Sequence, residues 1–178
     1  PGGIVVFGHG PAPMVLRRGD LRWLVVKALA HLLALAPLAT LLLAAWQQSL
    51  GADPVAELTH RTGDWALRLL LASLAMTPLR LLTGRPWPIR FRRLLGLYAF
   101  FYASLHLAVY VVLDLQGFWS QIFDDILKRP FITVGFTAWL LLLPLAFTST
   151  KGWMKRLGRR WAQLHKAVYA IAVLAVLH

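Results

Sequence analysis

Five stretches of this chain are too long and too apolar for the surface of a water-soluble domain, and they limit its fold more than any other feature. They run approximately from Leu21 to Trp46, Trp65 to Leu82, Leu94 to Leu115, Phe131 to Phe147 and Trp161 to His178. Hydrocarbon offers no partner for backbone N–H and C=O groups and is about 30 Å thick, so a spanning segment must be a helix of roughly 20 residues. The expected fold is therefore an all-α integral membrane protein, a helical bundle with five spanning helices over residues 21–178, preceded by an N-terminal cytoplasmic arm at 1–20. A composition that is 58% hydrophobic and 15% charged points the same way. Pro37, Pro78 and Pro144 fall inside or near the ends of these runs and are read as kinks. The first run is too long for a cleaved signal peptide and lacks a small-residue cleavage site, so it is expected to stay in the mature protein. The opening PGGIVVFGHGPAP is a Gly- and Pro-rich arm, and His9 within it is given no role.

Charge sets the orientation. Of the 19 Lys and Arg, 15 flank the first stretch, join the second to the third or join the fourth to the fifth; six of the seven acids lie on the opposite side. The positive-inside rule then places the N-terminus in the cytoplasm and makes the third and fifth helices run outward together. The net charge of +12 is thereby a topology signal, with contact to anionic lipid, and nucleic acid is not an expected partner.

The chain has no cysteine, which removes disulfides, zinc-thiolate sites, iron–sulfur clusters and a thiolate haem ligand together. A metal must rest on histidine or oxygen ligands. Intramembrane ionisable groups are costly, so three histidines carry the functional expectation: His106 in YASLHLAVY, His165 in WAQLHKAVY and His178 in LAVLH. The 13-residue step from His165 to His178 rises about 20 Å, enough for one group near each membrane face. His106 and His178 both fall in the outer half of parallel helices and are the expected pair of axial ligands for an outer haem. Thirteen steps of about 100° leave His165 and His178 some 140° apart around an ideal helix, so a kink or different neighbours is required. At the depth of His165 the third helix offers Arg92 and Arg93, poor iron ligands suited to snorkelling or to ion pairs with haem propionates. The residues alone leave haem ligation and interhelical hydrogen bonding, worth about 0.6–2 kcal/mol, both open. For His31 the hydrogen-bonding role is expected; His60 is placed in an outer loop.

Other segments are less specific. GFWSQIFDDILKRP has Phe118, Trp119, Ile122, Phe123 and Ile126 at helical spacing with Asp124 and Asp125 between them, as in an interfacial helix or a docking surface for a basic partner. KGWMKRLGRRW is a cationic and aromatic belt that can face an anionic electron donor or a flavin phosphate. Thr148, Ser149 and Thr150 terminate the fourth helix or cap the next segment. No nucleophile–base–acid arrangement or phosphate loop is visible, so hydrolase and ATPase readings have no support.

The strings LGADPV at 50–55, HRTGDWALRLLLASLAMTPLR at 60–80, IRFRRLLGLYAFFYASLHL at 89–107, LAFTST at 145–150 and KRLGRRWAQLHKAVY at 155–169 resemble one family. This is MsrQ, formerly YedZ, the haem-binding membrane subunits of bacterial methionine sulfoxide reductase systems. It lies within the ferric-reductase-like transmembrane group that also holds the membrane cores of NADPH oxidases. The resemblance implies haem b, one or two per chain, with His106, His165 and His178 as iron ligands. It implies FMN as a further cofactor and a place in the bacterial inner membrane. Electrons would enter from the quinone pool or a cytoplasmic flavin reductase and leave to MsrP, the periplasmic molybdopterin subunit that reduces methionine sulfoxide in oxidised envelope proteins. The NADPH oxidase cores carry two histidines on the third helix, whereas this chain has His106 there and offers Arg92 and Arg93 at the inner depth. The family also has a sixth spanning helix, so this sequence is expected to stop before it. The competing expectations are a transmembrane ferric reductase or NADPH-oxidase-like core, and a non-redox assembly or transporter subunit whose histidines pack or relay protons.

Overall fold

The computed structural model describes residues 18–115 and 128–178, and all of their regular structure is helical. The arm before Arg18, with His9, and the amphipathic residues from Phe118 to Ile126 lie outside the described residues. The helices are α1 (Arg18–Trp46), α2 (Pro54–Thr83), α3 (Trp87–Val109) continued by a π-helical turn (Tyr110–Asp114), α4 (Pro130–Phe147), α5 (Lys151–Leu157), α6 (Arg159–Leu164) and α7 (Ala167–Leu177). Four runs, Leu21–Trp46, Pro54–Thr83, Trp87–Asp114 and Pro130–Phe147, are long and apolar enough to cross a membrane. The all-α membrane fold expected from the sequence is thus the fold observed.

Two compact units divide between Ala36 and Pro37. The described part of the first is the opening of α1, where the Lys27 ammonium sits 5.4 Å from the centre of the Trp23 ring and His31 is exposed. The second unit holds everything from Pro37 onward.

α2 begins well before the expected Trp65, because its first three turns are stabilised by polar groups rather than by an apolar face. Asp53 caps it by accepting from the Ala56 N–H at 3.0 Å, and Pro54 occupies the first turn, where its missing N–H costs nothing. Glu57–Arg61 and Asp64–Arg68 then pair at i,i+4 on the exposed side. His60 therefore lies on a helix, exposed, and not in a loop. This early start also brings Thr59 and Gly63 onto the helix that packs on α3.

The α2–α3 connection is short because Gly84 takes a left-handed conformation (φ 65°) and returns its N–H to the Arg80 carbonyl. The two helices are cross-linked near this turn: the Ser73 hydroxyl donates to the Arg92 carbonyl at 2.8 Å. Trp139 on α4 donates its indole N–H to Ser104 on α3 at 3.0 Å. Leu70, Ala99, Tyr102, Leu142 and Ile171 bring α2, α3, α4 and α7 into one core, with Tyr102 and Ile171 fully buried. The outward faces stay apolar and exposed, as a lipid-facing surface requires.

The Tyr102 hydroxyl accepts from the Leu38 N–H at 3.1 Å. Leu38 follows Pro37, whose ring disturbs the local helical ladder, so the phenol satisfies a main-chain donor where the ladder is weakest. Tyr102→Phe is expected to lower thermal stability by about 1–2 kcal/mol while leaving any haem spectrum unchanged, measured by thermal melting in detergent.

The fourth helix ends as its sequence suggested: Thr148 and Ser149 hydroxyls donate back to the Pro144 and Leu145 carbonyls, and Thr150 caps α5 by accepting from Trp153. The fifth stretch differs from the single span expected. It consists of α6 and α7 joined at His165 and Lys166, where Lys166, Val168 and Tyr169 donate to carbonyls three residues back. Each residue wound at three per turn adds about 20°, so this tightened turn narrows the angular gap between His165 and His178 below that of an ideal helix. Of the two routes the sequence left open, a kink or different neighbours, the structure shows a kink.

Candidate cofactor site

The antiparallel packing of α2 on α3 and of α4 on α7 brings the start of α2, the end of α3, the start of α4 and the end of α7 to one end of the bundle. His106 and His178 meet there. Their ring centroids are 5.9 Å apart and their planes cross at 80°. Two metal–nitrogen bonds of about 2 Å each, with the two half-rings behind them, span roughly 6 Å, so His106 and His178 would be able to hold one metal ion between them.

The hydrogen bonds on the other side of each ring decide which nitrogen is available. His106 Nδ1 lies 2.9 Å from the Thr59 carbonyl, and His178 Nδ1 lies 2.7 Å from the Phe131 carbonyl. A carbonyl can only accept, so Nδ1 carries the proton in both rings and Nε2 presents its lone pair. No hydrogen bond among the described residues engages either Nε2. This is the arrangement of metal-ligating histidine, in which the outer nitrogen is fixed by a main-chain carbonyl. Among the described residues no group of three or more His, Cys, Asp or Glu could hold a metal by itself. Two axial imidazoles instead suit a metal whose remaining ligands belong to a macrocycle, and the donor set fits haem. One turn after His106 the helix widens into the π-helical turn, with the Leu115 N–H donating to the Tyr110 carbonyl at 3.0 Å, a distortion common beside functional groups.

His165 lies at the opposite end of the bundle, half-buried and stacked on Trp161 with centroids 3.9 Å apart. Its Nδ1 is 3.0 Å from the Trp161 carbonyl, and its Nε2 is 3.2 Å from the Leu145 carbonyl and 3.4 Å from the Ser149 hydroxyl. A neutral imidazole has one N–H, so only one of the two carbonyls can receive it. All three sequence-selected histidines thus turn Nδ1 to a main-chain carbonyl. Only His106 and His178 meet each other.

Arg92 and Arg93 sit near the His165 end. The Arg92 guanidinium donates to the Thr77 hydroxyl at 2.9 Å and lies 6.0 Å from the centre of the Tyr169 ring. Arg93 is exposed, with Met154 sulfur at 3.7 Å. The sequence did not single out Thr59, Gly63, Phe131 or Gly135, because a main-chain carbonyl leaves no residue-type signal and a glycine's part shows only against the ring that packs on it.

Residues 62–176 match the family described as ferric reductase like transmembrane component. The chain is similar to the curated "Protein-methionine-sulfoxide reductase heme-binding subunit MsrQ" of Xanthomonas axonopodis pv. citri (strain 306), with 64% identity over 161 residues, covering 87% of this chain and 74% of that protein. The protein of the same name from Xanthomonas campestris pv. campestris (strain 8004) is 63% identical over 164 residues, covering 87% and 74%. That from Herminiimonas arsenicoxydans is 48% identical over 155 residues, covering 86% and 71%. No solved structure gives a significant match.

Proposed function

The chain belongs to the ferric-reductase-like transmembrane family, alongside the MsrQ haem-binding subunits of protein-methionine-sulfoxide reductases, and on that premise we propose that it is a haem b membrane subunit. Its task is to carry electrons from the quinone pool or a cytoplasmic flavin reductase across the bacterial inner membrane to MsrP, supporting repair of oxidised periplasmic proteins. Bound haem supplies one-electron redox chemistry, and the protein supplies ligation, spacing and a low-dielectric surround.

The pairing of His106 with His178 carries this reading. Their two Nδ1–H groups, held by carbonyls, keep both Nε2 lone pairs free for iron on the periplasmic side. His165 would hold haem on the cytoplasmic side through Nε2, with Nδ1–H keeping its bond to the Trp161 carbonyl. Arg92 and Arg93 stand nearby as cations for haem propionates. The basic residues of α5 and α6, Lys155, Arg156, Arg159 and Arg160, form the face for an anionic donor or for the phosphate of FMN. With its positive segments cytoplasmic, the chain places its N-terminus inside.

The test is an absorption spectrum of the detergent-purified protein, oxidised and dithionite-reduced, with haem quantified per polypeptide. About two b-type haems per chain are expected on this ligand assignment, with the haem held by both His106 and His178 low-spin. Protein from haem-replete cells that contains no haem would sink the proposal and leave a non-redox membrane subunit.

A further inference from the structure

The two histidines that face each other are seated in the same way. In each case the accepting carbonyl stands 47 residues before the histidine: Thr59 for His106 and Phe131 for His178. In each case a glycine follows that carbonyl by one helical turn on the same helix, Gly63 on α2 and Gly135 on α4. A Cβ on Gly63 would stand 3.1 Å from His106 Nδ1 and 3.2 Å from its Cε1. A Cβ on Gly135 would stand 2.5 Å from both Nδ1 and Cε1 of His178, a clash that nothing short of moving the ring can relieve. Each ring therefore lies in a notch that exists because the residue below it has no side chain, and the notch lets Nδ1 reach the carbonyl of the preceding turn.

We infer that Gly63 and Gly135 are positioning residues for the axial ligands. They act through the rings: each admits its imidazole to a main-chain carbonyl, which fixes the Nδ1–H tautomer and aims Nε2 away from the helix that holds the carbonyl. Together the two notches set the crossed ring planes. This inference rests on His106 and His178 being haem ligands. Two other helical glycines differ from these: Gly152 has open space where a Cβ would go, and a Cβ on Gly96 meets only Ser73 Oγ at 3.4 Å.

The experiment compares Gly135→Ala, Gly63→Ala, Gly152→Ala and His106→Ala in the full-length, haem-loaded protein. Haem loss is followed by transfer to apomyoglobin, and the ferric low-spin EPR signal reports the relative orientation of the imidazole planes. Gly135→Ala is expected to lose haem about 10–100-fold faster, the usual cost of a broken outer-shell partner, and the haem it retains is expected to show shifted g values. Gly63→Ala, which asks its ring to yield only a few tenths of an ångström, shows a smaller acceleration and a smaller g shift in the same sense. Gly152→Ala matches wild type. A purely structural role for the glycines would lower the yield of inserted protein while leaving the g values of the bound haem unchanged, and that result overturns the inference. Wild-type haem loss and g values in both notch variants overturn it equally. If Gly135→Ala does not accumulate in the membrane, the g shift in Gly63→Ala decides. Full haem retention in His106→Ala overturns the ligand assignment beneath, a different failure from loss of haem in His106→Ala with no effect at either glycine.

Discussion

His106→Ala is expected to empty the site that His106 shares with His178, while His31→Ala leaves haem content at the wild-type level. Removing a partner behind a metal ligand costs about 10–100-fold in affinity, so removing an axial ligand itself is expected to exceed 100-fold and to leave no low-spin haem at that site. The contrast does not rest on histidines being rare in the membrane, since both residues lie in apolar helices. It rests on seating: His106 is half-buried, held through Nδ1 by the Thr59 carbonyl and opposed by a second imidazole at 5.9 Å, whereas His31 is exposed on the opening of α1. Haem per polypeptide, with the reduced-minus-oxidised spectrum of each variant, reads the outcome. Equal losses in the two variants would sink the assignment, and His178→Ala should reproduce the His106→Ala result.

The parts of this architecture that depend on how many apolar residues stand in a row are legible in the amino-acid sequence alone. Helix type, the shared outer depth of His106 and His178 on co-directional helices, and the conflict of facing between His165 and His178 that a kink or different neighbours must resolve all come from counting residues against a 1.5 Å rise and a 100° step. The features that escape such counting are set by polar local chemistry. The first turns of α2 read as a loop because Glu57, His60, Arg61 and Asp64 interrupt the apolar pattern, yet Asp53, Pro54 and two i,i+4 ion pairs make them helical. The seats of the histidines escape for a different reason. Thr59, Gly63 and His106 correspond by one constant offset to Phe131, Gly135 and His178. The glycines and histidines repeat as letters, but what joins each ring to its helix is a main-chain carbonyl, which carries no letter, so the pairing of ring, carbonyl and glycine shows only in the structure. The same offset carries His165 back onto Arg93, so the second half of the bundle has an imidazole where the first half has a guanidinium. The pairing at one end of the bundle is symmetric, and at the other end it is not.

That asymmetry is what His165→Ala probes, and the expected result is a loss of about half the haem per chain, with the spectrum and g values of the His106–His178 site retained. The argument turns on a single proton. His165 faces the Trp161 carbonyl through Nδ1 and the Leu145 carbonyl through Nε2, and a neutral ring can donate to only one of them, so one carbonyl faces a lone pair. Were His165 to hold haem iron through Nε2, the conflict would be relieved: Nδ1–H would stay on the Trp161 carbonyl, and the Leu145 carbonyl would keep the Ser149 hydroxyl that already donates to it at 2.6 Å. The tightened turn at His165 and Lys166 is where such a ring can swing without disturbing α7, since its bonds run three residues back rather than four. If His165 instead serves only to close the end of α4, His165→Ala will lower thermal stability by about 1–2 kcal/mol and leave the haem count unchanged, because Ser149 and Trp161 hold that corner together through their own bonds. Haem stoichiometry and melting temperature, measured on the same preparation, move in opposite combinations under the two roles.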